Sequence, residues 1–186
     1  MTIYIALLRG INVGGHKSIA MADLRALCVE LGLSDVQTVL QSGNLIFTAP
    51  ASTGTDLEEK LETKLEKAAD EHLGLSTTFI VRSAPDWLEI TKNNPYPQHA
   101  TNDPSHLVLA LLKATPSKEA WEALQSAIKG REIVHGAGHQ AYIYYPDGIG
   151  NSRLTNALIE SKLMTSATAR NWNTVLKLAH LTATVE

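Results

Sequence analysis

Ile3-Tyr4-Ile5-Ala6-Leu7-Leu8-Arg9-Gly10-Ile11-Asn12-Val13-Gly14-Gly15 decides how the rest of the chain is read. The run from Ile3 to Leu8 has no charged residue and reads as a central strand buried on both faces. Gly10, Gly14 and Gly15 then give the backbone unusual freedom before a helical pattern starts near Met21. A glycine-rich turn between a strand and a helix can gather backbone N–H groups around an anion. Arg9 before the turn and Lys17 after it add positive charge, and Asn12 adds a neutral polar edge. The same glycines also suit a turn that only needs positive φ angles, so spacing alone leaves both readings open.

From that strand outward the first half alternates. Leu24, Leu27, Cys28 and Leu31 recur at helical spacing, and Gly32 follows as a stop. Cys28 sits on the apolar stripe and reads as core packing. Val36–Leu40 and Leu45–Thr48 read as strands joined by the turn Gln41-Ser42-Gly43-Asn44. Thr55 and Glu58 have capping-box spacing, and Leu57, Leu61 and Leu65 share a helical face that ends near Gly74. Thr77–Val81 is the last strand. The order strand, helix, strand, strand, helix, strand predicts a ferredoxin-like α+β subdomain over residues 1–83. In that fold the third strand lies between the first two, antiparallel to both. The end of the first strand and the Gln41–Asn44 turn then lie at one end of the sheet. Gln41, Ser42 and Asn44 are thus candidates for hydrogen bonds to a ligand beside Arg9, although Ser and Asn also serve turns.

In the second half, Ser83 and Asp86 start a short helix with Trp87 and Leu88, and residues 84–104 read as helix plus linker. Asn93 to Pro104 carries three prolines and no periodicity. Residues 105–186 read as a second α+β subdomain, βαββα plus a C-terminal helix. Leu107–Leu112 is its first strand, and Thr115-Pro116 opens a helix with Trp121, Leu124 and Ile128 inward. A hairpin turns at Gly136-Ala137-Gly138. Gly148, Gly150 and Ser152, followed by Arg153, form a second glycine loop opening a helix, with Ser152 as N-cap. Thr168 is read as the cap of a final helix. Arg170 and Asn171 would then stand in its first turn, and Trp172, Val175, Leu176 and Ala179 on one face.

The formal net charge of −3 over 186 residues argues against wholesale wrapping of nucleic acid, although a local basic patch remains compatible with it. One cysteine excludes an internal disulfide and fits a reducing cytoplasm. The N-terminal apolar run lacks a signal peptide's basic start and cleavage site, and no stretch reaches membrane-spanning length. The first glycine loop lacks the P-loop ending and the full dinucleotide fingerprint, and no Gly-x-Ser-x-Gly elbow occurs. His135 and His139 flank a hairpin turn without further apparent ligands, so no metal or cofactor is expected.

Leu7-Leu8-Arg9-Gly10-Ile11-Asn12-Val13-Gly14-Gly15 resembles a bacterial family known as domain of unknown function 1697. The resemblance continues through Met21-Ala22-Asp23-Leu24-Arg25 and Leu40-Gln41-Ser42-Gly43-Asn44. It returns at Tyr145-Pro146-Asp147-Gly148-Ile149-Gly150 and at Ala169-Arg170-Asn171-Trp172-Asn173-Thr174. It implies two packed ferredoxin-like subdomains and no established activity. His16 and Asn151 depart from the family's usual residues, with Lys17 and Arg153 beside them supplying charge.

The leading expectation is a cytoplasmic protein that binds an anionic, phosphorylated, nucleotide-like ligand in a cleft between the two subdomains. Arg9, Gly10, Asn12, Gly14, Gly15 and Lys17 would contribute from the first half, with Gln41, Ser42 and Asn44. Gly148, Gly150, Ser152, Arg153, Arg170, Asn171 and Trp172 would contribute from the second. Arginine forks suit phosphate or carboxylate, and Asn and Gln suit neutral edges. Nucleic acid is a weaker partner, because Phe47 and Phe79 do not reproduce the paired strand aromatics of RNA-binding sheets. An alternative is an enzyme acting on a phosphorylated small molecule, with His16 as general acid or base. Another is an interaction module in which the motifs serve packing. Catalytic residues and oligomeric state stay open.

Overall fold

A computed structural model describes residues 1–11, 18–50 and 56–183. The described residues form a mixed α+β structure with two four-stranded antiparallel sheets and seven helices. The chain divides into two compact units, Met1–Ile90 with Leu178–Glu186, and Thr91–Lys177. Among the described residues no helix is long and apolar enough to cross a membrane.

In the first unit the elements are β1 (Thr2–Leu8), α1 (Met21–Glu30), β2 (Ser34–Val39), β3 (Asn44–Ala49), α2 (Asp56–Leu73), β4 (Phe79–Ser83) and α3 (Ala84–Lys92). The sheet order is β2-β3-β1-β4. Alternation along β1 sends Tyr4, Ala6 and Leu8 into a core with Leu45, Phe47, Phe79 and Val81. Leu24, Leu27 and Cys28 of α1 and Leu61, Leu65 and Ala69 of α2 close that core. Ile5, Leu7 and Ile80, on the opposite face, are buried as well, which is why β1 reads as a continuous apolar run. Burial pushes the Cys28 thiol up to about 12. Gly32 ends α1 at a φ of +79°, with its N–H on Val29 O and the Leu33 N–H on Cys28 O, a Schellman closure.

The edge of this sheet is sealed by α2. The N–H groups of Phe79, Val81 and Ser83 donate to the carboxylates of Glu66 (3.0 Å), Glu62 (2.8 Å) and Glu58 (2.7 Å). Arg82 lies 3.8 Å from Glu58 and 3.7 Å from Glu62, and its guanidinium also donates to Val81 O. Thr55, the expected capping partner of Glu58, lies outside the described residues. Ser83 and Asp86 do cap α3: the Asp86 N–H donates to Ser83 Oγ at 3.3 Å, and the Ser83 hydroxyl donates to the Asp86 carboxylate.

In the second unit the elements are α4 (Pro97–Asn102), β5 (Leu107–Leu112), α5 (Lys118–Ala127), β6 (Ile133–Ala137), β7 (Gln140–Tyr144), α6 (Asn156–Leu163), β8 (Ala167–Asn171) and α7 (Trp172–Ala183), whose last residues fall in the first unit. The sheet order is β6-β7-β5-β8. Val108, Ala110, Leu112, Leu124, Ile143 and Ile159 share its core. The two units repeat each other bond for bond at the ends of β1 and β5. Leu8 N–H donates to Gly43 O and Leu112 N–H to His139 O, both at 2.8 Å. Arg9 N–H donates to Thr78 O and Lys113 N–H to Ser166 O. Arg82 stands opposite Ile5, as Arg170 stands opposite Leu109.

Several sequence expectations need correction here. The second half is not βαββα plus a helix: Ala167–Asn171 is a strand paired with β5, so Thr168 caps nothing and Arg170 lies in β8. Ser152 is not a helix N-cap. It follows a single 3₁₀ turn at Ile149–Asn151, and Thr155 caps α6 by accepting the Leu158 N–H. Ser117 rather than Thr115-Pro116 opens α5, accepting the Ala120 N–H. The Pro-rich stretch holds α4, with Pro97 as its first residue. Leu176 faces outward, and Trp172, Val175 and Leu178 are the buried residues of the final helix.

Two measurements check the sealed edge. Glu62→Ala strands the Val81 N–H and leaves Arg82 short of a counter-charge, so urea unfolding is expected to show a loss of about 2–4 kcal/mol. Glu58 behaves differently. Burial pushes its carboxyl up to about 7 from 4.5, with Asp86 adding to the rise and the Ser83 N–H and Arg82 opposing it. Between those two values the folded chain holds a proton that the unfolded chain has lost, so stability falls as pH rises through the window. Glu58→Gln is expected to flatten the profile of melting temperature against pH over that window.

Candidate functional site

At the end of β1 the first glycine loop begins. Asn12, Gly14, Gly15, His16 and Lys17 lie outside the described residues; Arg9 and Gly10 lie within them. Arg9 is half-buried, its carbonyl accepts the Thr77 hydroxyl at 2.6 Å, and Gly10 has a φ of +63°. The Gln41–Asn44 turn sits against the same strand end, since Leu7 pairs with Asn44 and Leu8 N–H reaches Gly43 O. Gly43, at φ +72°, packs so closely that a Cβ there would come within 2.6 Å of Ile11 and 2.9 Å of Leu8. Gln41 is exposed. Asn44 is wholly buried and its amide donates to Val39 O at 2.7 Å and to Ser42 Oγ at 3.0 Å. That side chain closes the turn on itself.

The second unit gathers the remaining candidates at one end of its own sheet. Leu107, at the start of β5, pairs with Tyr144, and Val108 pairs with Asn171. The loop after β7, with Gly148, therefore lies on one side of β5, and the β8–α7 junction on the other. Trp172 N–H donates to Pro104 O at 3.1 Å and Tyr145 N–H to His106 O at 2.9 Å, tying both to the segment that enters β5.

The β8–α7 residues are occupied by structure. The Arg170 guanidinium folds onto its own strand, donating to Thr168 Oγ1 at 2.9 Å and Ala169 O at 2.8 Å, and burial pushes it down to about 10. Asn171 Oδ1 caps α7 by accepting the Thr174 N–H at 3.0 Å. Trp172 is buried, with its ring tilted 50° to that of Tyr142 at 6.3 Å.

The Gly148 side is open. A cavity of about 200 Å³ is lined by Lys129, Gly130, Glu132, Tyr145, Asp147, Gly148, Asn151, Ser152 and Arg153. The Ser152 hydroxyl donates to Glu132 Oε1 and accepts the Leu154 N–H at 2.9 Å. Ser152 has no capping role because α6 begins only at Asn156, with Thr155 as its cap. Asp147 is bound by Arg131, whose hydrogen bonds hold the carboxyl below its ordinary value. Lys129 donates to Ser126 O at 3.4 Å. Gly148 has a φ of +82°, and Gly150 has open space around it.

Sequence reading passed over one cluster beside this loop. Asp103 Oδ2 lies 2.8 Å from His106 Nδ1 and accepts the Tyr144 hydroxyl at 3.0 Å. Desolvation raises the Asp103 carboxyl, but the hydrogen bonds from His106 and Tyr144 prevail and hold it low. His99 stacks on Tyr144 with centroids 3.7 Å apart. With Nδ1 engaged, His106 presents Nε2, which would lie 3.5 Å from a Cβ on Gly148. A carboxylate that fixes a histidine tautomer is the arrangement of an acid–base or ligand-contacting imidazole. The Asp-x-x-His spacing across Pro104 was the available signal. His139 pairs with Thr115 Oγ1 at 2.9 Å, and no metal-holding group of three or more His, Cys, Asp or Glu occurs among the described residues.

A family model described as a protein of unknown function, DUF1697, matches residues 1–142. Among solved structures the chain is similar to a conserved bacterial protein, SP0830, from Streptococcus pneumoniae, at 23% identity and a TM-score of 0.75. The match covers 97% of this chain and 98% of that one, and it shows a shared fold. No curated protein matches the sequence.

The glycines of the loop are expected to differ on substitution. Gly148→Ala forces a residue with a side chain to φ +82° and places its Cβ against His106. A loss of about 1–2 kcal/mol should appear in thermal unfolding, together with shifted His106 ring resonances. Gly150→Ala, with nothing within 4 Å, should leave both unchanged.

Proposed function

We propose a function for a chain that belongs to the DUF1697 family, a family of unknown function: its second unit binds a small phosphate-bearing molecule at the Gly148 loop. One observation carries this reading. Lys129 and Arg153 both line the cavity, both are exposed, and neither makes an ion pair among the described residues. Two cations without an ion pair among the described residues, beside a glycine turn, suit phosphate oxygens. The volume of about 200 Å³ favours a phosphate with a few further atoms over a whole nucleotide. We also infer that each unit is ferredoxin-like. The fully antiparallel orders β2-β3-β1-β4 and β6-β7-β5-β8 support this, each with a helix on both crossovers.

A second reading, an enzyme acting on a phosphorylated small molecule, draws on the Asp103–His106 pair. His106 takes the acid–base role first considered for His16, with Gly148 as the link to the cavity.

Calorimetry of the full chain with inorganic phosphate and small phosphate esters tests the binding reading. Saturable binding that weakens with added salt is expected, with Lys129→Ala and Arg153→Ala each reducing affinity roughly five- to tenfold, about 1–1.4 kcal/mol. Absence of saturable binding, or indifference to both substitutions, would exclude the site. Release of inorganic phosphate from the bound ester, lost in His106→Gln, would favour the enzyme.

A further inference from the structure

The Gly148 cavity holds an acceptor as well as cations. Glu132 Oε1 is taken by the Ser152 hydroxyl, while Oε2 is buried and has no hydrogen-bond partner among the described residues. A carboxylate has room for about four donors, and buried polar atoms are rarely left bare. Oε2 rests over the Cα of Gly130, where a Cβ would come within 2.4 Å of it, so any side chain at that position would displace the carboxylate. The carboxylate is therefore seated against Gly130, and Glu132 lines the same cavity as Lys129 and Arg153.

The two halves of that lining ask for different chemistry. Bare phosphate would satisfy the cations and meet Glu132 as a like charge. A bare ammonium would satisfy Glu132 and meet the cations. A molecule that carries a phosphate and, a few atoms away, a hydrogen-bond donor satisfies both without leaving a charged group unpaired. We propose that the ligand of this cavity is a small phosphate ester bearing a hydroxyl or ammonium group that donates to Glu132 Oε2. This deepens the phosphate reading above and rests on it.

Isothermal titration of the full chain with four probes tests the idea: inorganic phosphate, methyl phosphate, glycerol 3-phosphate and phosphoethanolamine. Methyl phosphate matches the esters in its phosphate but has no second donor. The expected result is tenfold or greater preference for glycerol 3-phosphate or phosphoethanolamine over methyl phosphate. A lead for the first assigns a hydroxyl as the donor, a lead for the second an ammonium. Glu132→Ala should erase the preference while leaving methyl phosphate bound as well as before or better, and Arg153→Ala should weaken all four. The wild-type panel decides the question even if Glu132→Ala does not fold. If methyl phosphate binds as tightly as both esters, with Arg153→Ala still weakening it, Oε2 is satisfied by water and this inference falls while the phosphate site stands. If none of the four binds, both readings fall together.

Discussion

Three backbone N–H groups on the outer edge of β4 meet three glutamates of α2, and much of the first unit depends on that match. Alternate residues of a strand are spaced by about 6.8 Å. Residues four apart on a helix are spaced by about 6 Å. Glu58, Glu62 and Glu66 can therefore track Ser83, Val81 and Phe79 in sequence when the helix runs antiparallel to the strand. The contact fixes how far α2 slides along the sheet, and so which of its leucines enter the core. It also removes the open row of donors through which an edge strand recruits another chain. In the second unit α6 is eight residues long and supplies one such rung, Glu160 to the Ala167 N–H at 2.7 Å.

That difference in helix length sits on a shared plan. The hydrogen bonds that end β1 recur at the end of β5, and Arg82 and Arg170 occupy matching register positions, each donating to the preceding carbonyl. What differs is the setting of each arginine. Arg82 has Glu58 and Glu62 nearby, whereas Arg170 donates to Thr168 Oγ1 and Ala169 O and burial pushes its guanidinium down to about 10. A common scaffold thus carries different electrostatics in its two copies, and the cavity beside Gly148 belongs to the copy with the shorter covering helix.

The order of elements in the first unit was legible because apolar periodicity is local. Tyr4, Ala6 and Leu8, or Leu24, Leu27 and Cys28, announce their element without reference to anything distant. β8 was not legible, since Ala-Thr-Ala-Arg-Asn carries little strand signal and becomes a strand through its register with β5. The same holds for Ser152, whose hydroxyl answers Glu132, and for His106, whose setting depends on Tyr144 through Asp103. The α2 glutamates were visible at their i, i+4 spacing, yet a charged helix face reads as solvated until the strand beside it is placed. For the candidate site, Gly148, Ser152 and Arg153 were marked in advance. Lys129 and Glu132 were not, because nothing local distinguishes them from other surface charges.

Cys28 brings a different consequence. It is the chain's one cysteine, it is fully buried in the first core, and its thiol sits up at about 12. At neutral pH a thiolate there is scarce, and the buried sulfur is shielded from reagents while α1 stays seated. Alkylation of this sulfur therefore waits on opening of the core. The rate at which a small electrophile labels the native chain reads out how often α1 lifts from the first sheet.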